Sequence, residues 1–316
     1  MRRLSIVAIA GATGTGKTGA ALRLARAFGA GVVNFDSRQV YRSIPLVTAQ
    51  PSLEEQEVCP HRLYGFLELT EAMHAARFAG LAHEALAETA DQGLLPVLVG
   101  GTGMYLKAIL QGLSPIPDID PDVRERVLAE CAQKGSDRMH AILVSVDPEA
   151  GARIHPNDSQ RICRALEVYR SSGRPLSDWQ RQKGEAPPYR VLKIGLHRDL
   201  DALTVDLARR IDSMLDQGAL HEIRAAWKEV PDRSVPGFSG IGCPELLAHL
   251  HGDCTLKEAG AMWLKNTRAY AKRQITWFKR DSEIIWRAPN DLNGLEELVG
   301  NWLDSGEDRA GAGENQ

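Results

Sequence analysis

The stretch Gly11-Ala12-Thr13-Gly14-Thr15-Gly16-Lys17-Thr18 has the spacing G-x-x-x-x-G-K-[ST]. Its residue types suit one task, holding a diphosphate or triphosphate of the ATP type. Glycines let backbone N–H groups turn inward on an oxyanion. The N-terminus of a following helix adds its dipole. Lys17 brings a point charge, and the Thr18 hydroxyl suits Mg²⁺. The motif fixes the phosphate and leaves the subsequent chemistry open.

Two further stretches could act beside it. Gly31-Val32-Val33-Asn34-Phe35-Asp36 reads as a strand with Asp36 at its carboxyl end, where open α/β sheets bind ligands. Gly100-Gly101-Thr102-Gly103 follows the apolar run Leu95–Val99, so Thr102 is expected to face the same crevice. The chain has no N-K-x-D guanine-reading motif and no carboxylate after Val97-Leu98-Val99. A kinase or an ATP-hydrolysing machine usually places its metal-binding acid at such a strand end. Three readings stay open from the residues alone. One is transfer of a group from a diphosphate onto a nucleic acid. The others are a small-molecule or nucleotide kinase and a non-catalytic RNA-binding ATPase.

The elements that must position these residues can be read from periodicity. Leu4–Ala10 is a continuous apolar run, a buried strand. Ala20, Ala21, Leu24, Ala25 and Phe28 recur at helical spacing, and Gly29 closes that helix. The segment from Tyr41 to His61 is irregular, with three prolines. A helix is expected from Thr70 to Gly93, and another from Met104 to Gln111. The proline-rich stretch 113–121 reads as a linker. After it come short helices near 121–133, 159–171 and from 177. Val191–Leu196 reads as a returning strand, followed by helices near 199–217 and 219–229. Gly237–Pro244 is a glycine-rich loop. The last long helix runs from Thr255 to about Arg280, opened by the capping box Thr255-x-x-Glu258. The expected architecture is an α/β phosphate-loop NTPase-like core with a parallel sheet, residues 1–113 and 189–303, carrying a small all-helical insertion at 114–188. The stretch 304–316 is polar enough to be read as a disordered tail.

The 316 residues are 43% hydrophobic, with 38 basic and 41 acidic side chains and a net charge of −3. A polyanion must therefore be met by a local patch. Between Thr255 and Arg280 seven basic residues face one acidic residue. Lys265, Arg268, Lys272 and Lys279 share one helical face, which suits a phosphate-backbone stripe. Trp263, Tyr270 and Trp277 fall on the opposite face and read mostly as core. The insertion is also locally basic. Five scattered cysteines without a C-x-x-C point to reduced thiols in the cytoplasm. His249, His251 and Cys254 read as a helix end rather than a metal cluster. No apolar run is long enough to cross a membrane.

Several stretches taken together resemble the bacterial tRNA dimethylallyltransferase (tRNA isopentenyltransferase) family. They are Gly11–Thr18, Asp36-Ser37-Arg38-Gln39-Val40-Tyr41, Val99–Tyr105, Gly112–Pro115, His155–Arg161 through Arg164–Val168, and Thr267–Phe278. The resemblance spans about residues 4–280, in the family's order. It implies transfer of a dimethylallyl group from dimethylallyl diphosphate, with Mg²⁺, to N6 of the adenosine 3′ of the anticodon. It implies a soluble, cytoplasmic, monomeric enzyme whose helical insertion closes on the anticodon stem-loop.

By the same resemblance, Gly11, Ala12, Thr13, Gly14, Thr15, Gly16, Lys17 and Thr18 bind the diphosphate, with Thr18 on the metal. Asp36 is the base, and Thr102 sits at the reacting centre. Asp36, Ser37, Arg38, Gln39, Thr102 and Arg124 meet the tRNA. So do Gln160-Arg161-Ile162-Cys163-Arg164, Ser239-Gly240-Ile241-Gly242-Cys243-Pro244, and Thr267, Arg268, Lys272, Arg273 and Gln274. The chain departs from the family's usual G-M-D-I-G-T-A-K-P at Ser43–Pro51, from its H-H-L-x-D at His61–Gly65, and from its I-G-Y-[KR] at Ile241–Pro244. Asp206 stands where an arginine is common, with Arg209 and Arg210 close by.

Overall fold

The computed structural model describes residues 3–182, 184 and 189–311. It divides into two compact units, Met1–Leu110 with Pro188–Gln316, and Gln111–Pro187.

The larger unit is built on a six-stranded parallel sheet. Its strands are β1 (Leu4–Gly11), β2 (Ala30–Asn34), β3 (His61–Arg62), β4 (Leu95–Gly100), β5 (Tyr189–Leu196) and β6 (Ile285–Arg287). Their spatial order is β3-β2-β4-β1-β5-β6. β1, β2 and β4 are almost wholly buried. A parallel sheet covered by helices on both faces demands such unbroken apolar strands. The chain leaves β1 for β2 and returns to insert β4 between them, then crosses to β5 on the far side of β1. Loops after β1, β2 and β4 therefore converge at the carboxyl edge, where such sheets hold ligands.

Helices α1 (Lys17–Phe28), α2 (Leu53–Val58), α3 (Ala75–Asp91) and α4 (Gly103–Gln111) accompany the first strands. α2 lies inside the stretch expected to be irregular. Its signal is the capping box of Ser52 with Glu55, in which each side chain bonds the other's backbone N–H. α3 begins five residues later than expected, because the His74 ring, not Thr70, accepts the Arg77 N–H. β3 and β6 are edge strands of two and three residues, too short to show a period.

The smaller unit contains helices α5 (Pro121–Lys134), α6 (Ser136–Val146), α7 (Pro148–Arg153), α8 (Ser159–Ser172) and α9 (Leu176–Arg181). Its core is formed by Val127, Met139, Leu143, Ile162, Leu166 and Val168. Asp147, almost fully buried, organises it. One oxygen accepts the Ala150 N–H at the start of α7, and the other accepts the Ser177 N–H at the start of α9, both at 2.9 Å. Burial pushes its pKa up, but these donors outweigh that and hold it below the ordinary aspartate value.

The larger unit continues with α10 (Leu200–Asp216), α11 (Ala219–Glu229), α12 (Cys243–Leu250), α13 (Leu256–Phe278) and α14 (Leu292–Gly311). The α13 capping box forms as its sequence predicts. The stretch expected as a tail from 304 is corrected in part, since α14 continues to Gly311. Leu295 and Val299 anchor this helix in the sheet's core, and an anchored helix extends at little cost per added residue. Residues 312–316 and the expected boundary at 188 lie outside the described residues.

Replacing Asp147 with Ala removes two caps of about 1 kcal/mol each. We expect a loss of roughly 2–3 kcal/mol in urea unfolding of the helical unit, followed by circular dichroism. The aspartate's contribution is complete above its ordinary pKa of about 3.9 and fades as pH falls through the depressed folded value.

Candidate functional site

β1 delivers the loop of residues 11–16, and Gly14 and Gly16 adopt φ of 81° and 80°. That left-handed region costs glycine nothing and other residues about 1–2 kcal/mol. The Thr15 hydroxyl donates to the Ala12 carbonyl at 2.8 Å and folds the loop on itself. Lys17 Nζ donates to the carbonyls of Gly11 and Ala12 at 3.1 and 2.8 Å. The Thr13 N–H donates to Gln274 of α13 at 2.9 Å. Among the described residues, the amides of Gly14, Gly16, Lys17 and Thr18 have no protein acceptor, so these four remain for an anion.

Asp36 follows β2 by two residues, and Asn34 fixes it there. The Asn34 side chain, fully buried, accepts the Asp36 N–H at 2.7 Å and donates to the Leu63 and Asp36 carbonyls at 2.8 and 3.1 Å. Asp36 Oδ1 accepts the Arg38 N–H at 3.0 Å. Oδ2 has no donor among the described residues. Thr102 accepts the Ser37 N–H at 3.0 Å and donates to the Ser37 hydroxyl at 3.2 Å. Tyr270 of α13 also reaches the Thr102 side chain. Thr102 thus ties the β4 loop to the segment carrying Asp36.

Gln274 is 4% exposed. Its Oε1 accepts the Thr13 N–H, and its Nε2 donates to the Gly101 carbonyl at 2.9 Å. One side chain of α13 therefore holds the phosphate loop and the β4 turn together.

Thr13, Asp36 and Tyr270 border a cavity of about 270 Å³. Thr13, Asp36, Arg38, Arg210 and Arg273 give it charged and polar walls, while Val47, Leu207, Ile211, Met214, Ile241 and Trp263 give it apolar ones. Burial pushes the Lys17 ammonium down to about 8; the Asp36 carboxylate pulls the other way, and the Arg210 charge adds to the lowering. Burial also lowers the Arg210 pKa, against the pull of the Glu55 and Asp36 carboxylates. Burial and then the Asp36 charge raise Tyr270 well above the ordinary phenol.

Other expected residues divide by exposure. Gln160, Arg161 and Arg164 lie exposed on α8, and Arg124 on α5. The Ile162 and Cys163 side chains point into the helical core, so they offer no surface to an RNA. Cys243 is fully buried at the start of α12, and Thr267 and Gln274 are buried on α13. Gly240 and Gly242 are buried as well, while Ser239 and Pro244 are exposed. Ser239 accepts from Arg38 at 2.8 Å, and Gln39 donates to the Thr48 carbonyl at 3.4 Å. Lys265, Arg268, Lys272, Arg273 and Lys279 are exposed on α13. Arg268 pairs with Asp201 at 2.8 Å. The reading of the three aromatics as core holds for Trp263 only. Tyr270 lines the cavity, and Trp277 is 38% exposed because it packs beside Gly103 at the surface.

Sequence reasoning did not single out Asn34, and it mentioned Arg210 only as a neighbour. Asn34 carried a signal, a polar residue ending an apolar strand. Asp206 stands in ion pairs with Arg198 at 2.6 Å and Arg209 at 3.7 Å. Arg210, one turn on, lines the cavity instead. His249 and His251 bond backbone carbonyls of their own segment, and no metal-holding group of three His, Cys, Asp or Glu occurs among the described residues. No described helix is long and apolar enough to cross a membrane.

Comparison with known proteins follows the same lines. Residues 39–281 match the IPP transferase family. The chain is 50% identical to a tRNA dimethylallyltransferase of Maridesulfovibrio salexigens, over 96% of this chain and 98% of that one. It is 51% identical to one from Nitratidesulfovibrio vulgaris, with the same coverage. Among solved structures it resembles the full-length tRNA isopentenylpyrophosphate transferase of Bacillus halodurans, with a TM-score of 0.71 and 32% identity over 99% and 100% of the two chains. It also resembles a eukaryotic dimethylallyltransferase captured acting on tRNA, with a TM-score of 0.76 and 28% identity over 92% and 75%.

The lowered Lys17 value gives a signed expectation. Above about pH 8 the free ammonium loses its proton, and its attraction for phosphate goes with it. Arginine keeps its charge throughout that range. The ratio of wild-type to Lys17→Arg affinity for inorganic diphosphate, measured by calorimetry, should fall steadily from pH 7 to 9.5. A flat ratio would contradict the burial of Lys17.

Proposed function

The chain belongs to the IPP transferase family, and we propose that it transfers a dimethylallyl group from dimethylallyl diphosphate to N6 of the adenosine 3′ of the anticodon in tRNA. The observation that carries this reading is the single cavity on which the available Asp36 carboxylate, Arg210 and an apolar wall meet beside the phosphate loop. A donor with a charged head and a branched hydrocarbon tail needs both kinds of wall. An acceptor amine needs the base between them.

In this reading the free amides of the loop, Lys17 and Arg210 receive the diphosphate. Thr18 would hold Mg²⁺. Its hydroxyl is a hard oxygen donor, which suits Mg²⁺, a cation that commonly keeps waters and binds substrate phosphates. When bound, the ion supplies further positive charge for the leaving group. The N6–C1 bond forms as the C1–O bond breaks. The diphosphate departs with the electron pair, and Asp36 takes the proton shed by N6. An adenine inside a stacked loop must first be turned out to reach such a base. The exposed Arg124, Gln160, Arg161 and Arg164 of the helical unit and the exposed basic face of α13 meet the RNA backbone. The enzyme works as a cytoplasmic monomer.

Mass spectrometry of nucleosides, after unmodified tRNA is incubated with protein, Mg²⁺ and dimethylallyl diphosphate, tests the reading directly. Adenosine heavier by one dimethylallyl group is expected. Asp36→Asn should lower kcat by about 10²–10⁴-fold, the usual contribution of a positioned base, with tRNA binding kept. Near-normal turnover in that variant would remove Asp36 from the mechanism. Lys272→Glu should weaken tRNA binding and reduce its salt dependence by about one phosphate contact or more. No change in either would take the α13 stripe out of the interface.

A further inference from the structure

The apolar wall of the cavity is not uniformly compliant, and one residue in it is held from two sides. Val47 is 5% exposed. Its backbone N–H donates to Glu222 Oε1 of α11 at 2.8 Å, while the N–H of the preceding Leu46 donates to Oε2 of the same carboxylate at 2.8 Å. Each oxygen of the Glu222 carboxylate thus accepts one backbone donor, and the pair grips the segment at that point. On the other side, Val47 Cγ1 and the Trp263 indole close over Gly242, at 2.7 and 2.8 Å from where a β-carbon on Gly242 would stand. Gly242 has φ of 101°, a conformation that leaves glycine as the fitting residue. The Thr48 hydroxyl donates to the Ile44 carbonyl at 2.6 Å and tightens the same turn.

Valine adds stiffness of its own, because a β-branched side chain is restricted at χ1. Met214, on the same cavity, has three rotatable bonds and adapts readily. A wall that cannot move is where chain length is discriminated.

The geometry points to Val47 as a residue that sets donor length, a fixed part of the cavity's apolar wall that excludes prenyl diphosphates longer than dimethylallyl. This inference rests on the prenyl-transfer reading above and deepens it. Glu222 acts through Val47 as a positioning residue and touches no substrate.

The test compares kcat/KM for geranyl diphosphate and dimethylallyl diphosphate on the same unmodified tRNA. Wild type should use the shorter donor well and the longer one poorly. A methylene-sized change in an apolar pocket is worth about 10–200-fold in discrimination. Val47→Gly should therefore shift the ratio toward the geranyl donor by about 10-fold or more. Val47→Ala, which keeps a normal backbone preference, should shift it part of the way and guards against a folding failure in the glycine variant. Val205→Ala changes an exposed valine on α10 and should leave the ratio at the wild-type value. Glu222→Gln should raise KM for dimethylallyl diphosphate more than it lowers kcat. An unchanged ratio in folded Val47→Ala and Val47→Gly, with dimethylallyl transfer intact, overturns the proposal. If wild type transfers neither prenyl group, the underlying reading fails instead.

Discussion

A single buried amide holds the site's geometry. Gln274 reaches from α13 to accept from Thr13 and donate to Gly101. Those loops leave adjacent strands, β1 and β4, and they carry the phosphate cradle and the Thr102 tether. A carboxamide is the side-chain group that can accept from one backbone and donate to another in this plane. Each end is desolvated, so losing either partner leaves an unsatisfied group at about 1–3 kcal/mol. The clamp also uses up the Thr13 amide. The amides left without a protein acceptor are those of Gly14, Gly16, Lys17 and Thr18, at the start of α1, and in the proposed function they meet the diphosphate.

α13 does more than clamp. Its Trp263, Thr267 and Tyr270 line the cavity, Gln274 is buried one turn on from Tyr270, and Lys272, Arg273 and Lys279 stay exposed. Period 3.6 separates these faces on one helix. In the proposed function one helix thus carries both a wall of the cavity and the basic face that would meet the RNA. Arg273 touches both, exposed yet lining the cavity and stacked 5.7 Å from the Tyr270 ring.

Much of this was legible in the sequence. The loop, its flanking strand and helix, Asp36 after β2 and the glycine turn after β4 all follow from spacing and apolar runs. The basic face of α13 follows from its period. What the sequence could not show is where long side chains go in three dimensions. Arg209 and Arg210 are adjacent in sequence, yet one pairs with Asp206 on the surface and the other enters the cavity. Residues 43–50 read as irregular because their order comes from a distant carboxylate, Glu222, and not from local periodicity. Ile162 and Cys163 sat among expected RNA contacts because a motif is contiguous, whereas a helix turns every second or third of its residues inward. Edge strands β3 and β6 were invisible because two or three residues carry no period.

Gly101, directly after β4, bears on how this phosphate-loop fold differs from the enzymes of phosphoryl transfer. Kinases and ATPases of this architecture commonly place a metal-binding acid at such a strand end. At Gly101 a β-carbon would stand 2.1 Å from Gln274 Nε2 and 3.2 Å from Asp36 Oδ2. No side chain fits there, acidic or otherwise, while Gln274 holds its place. The carboxylate comes instead from the loop after β2, fixed by Asn34 and the Arg38 amide with one oxygen left open. In the proposed reaction an acid with one oxygen free of protein donors is suited to receive the proton of the acceptor.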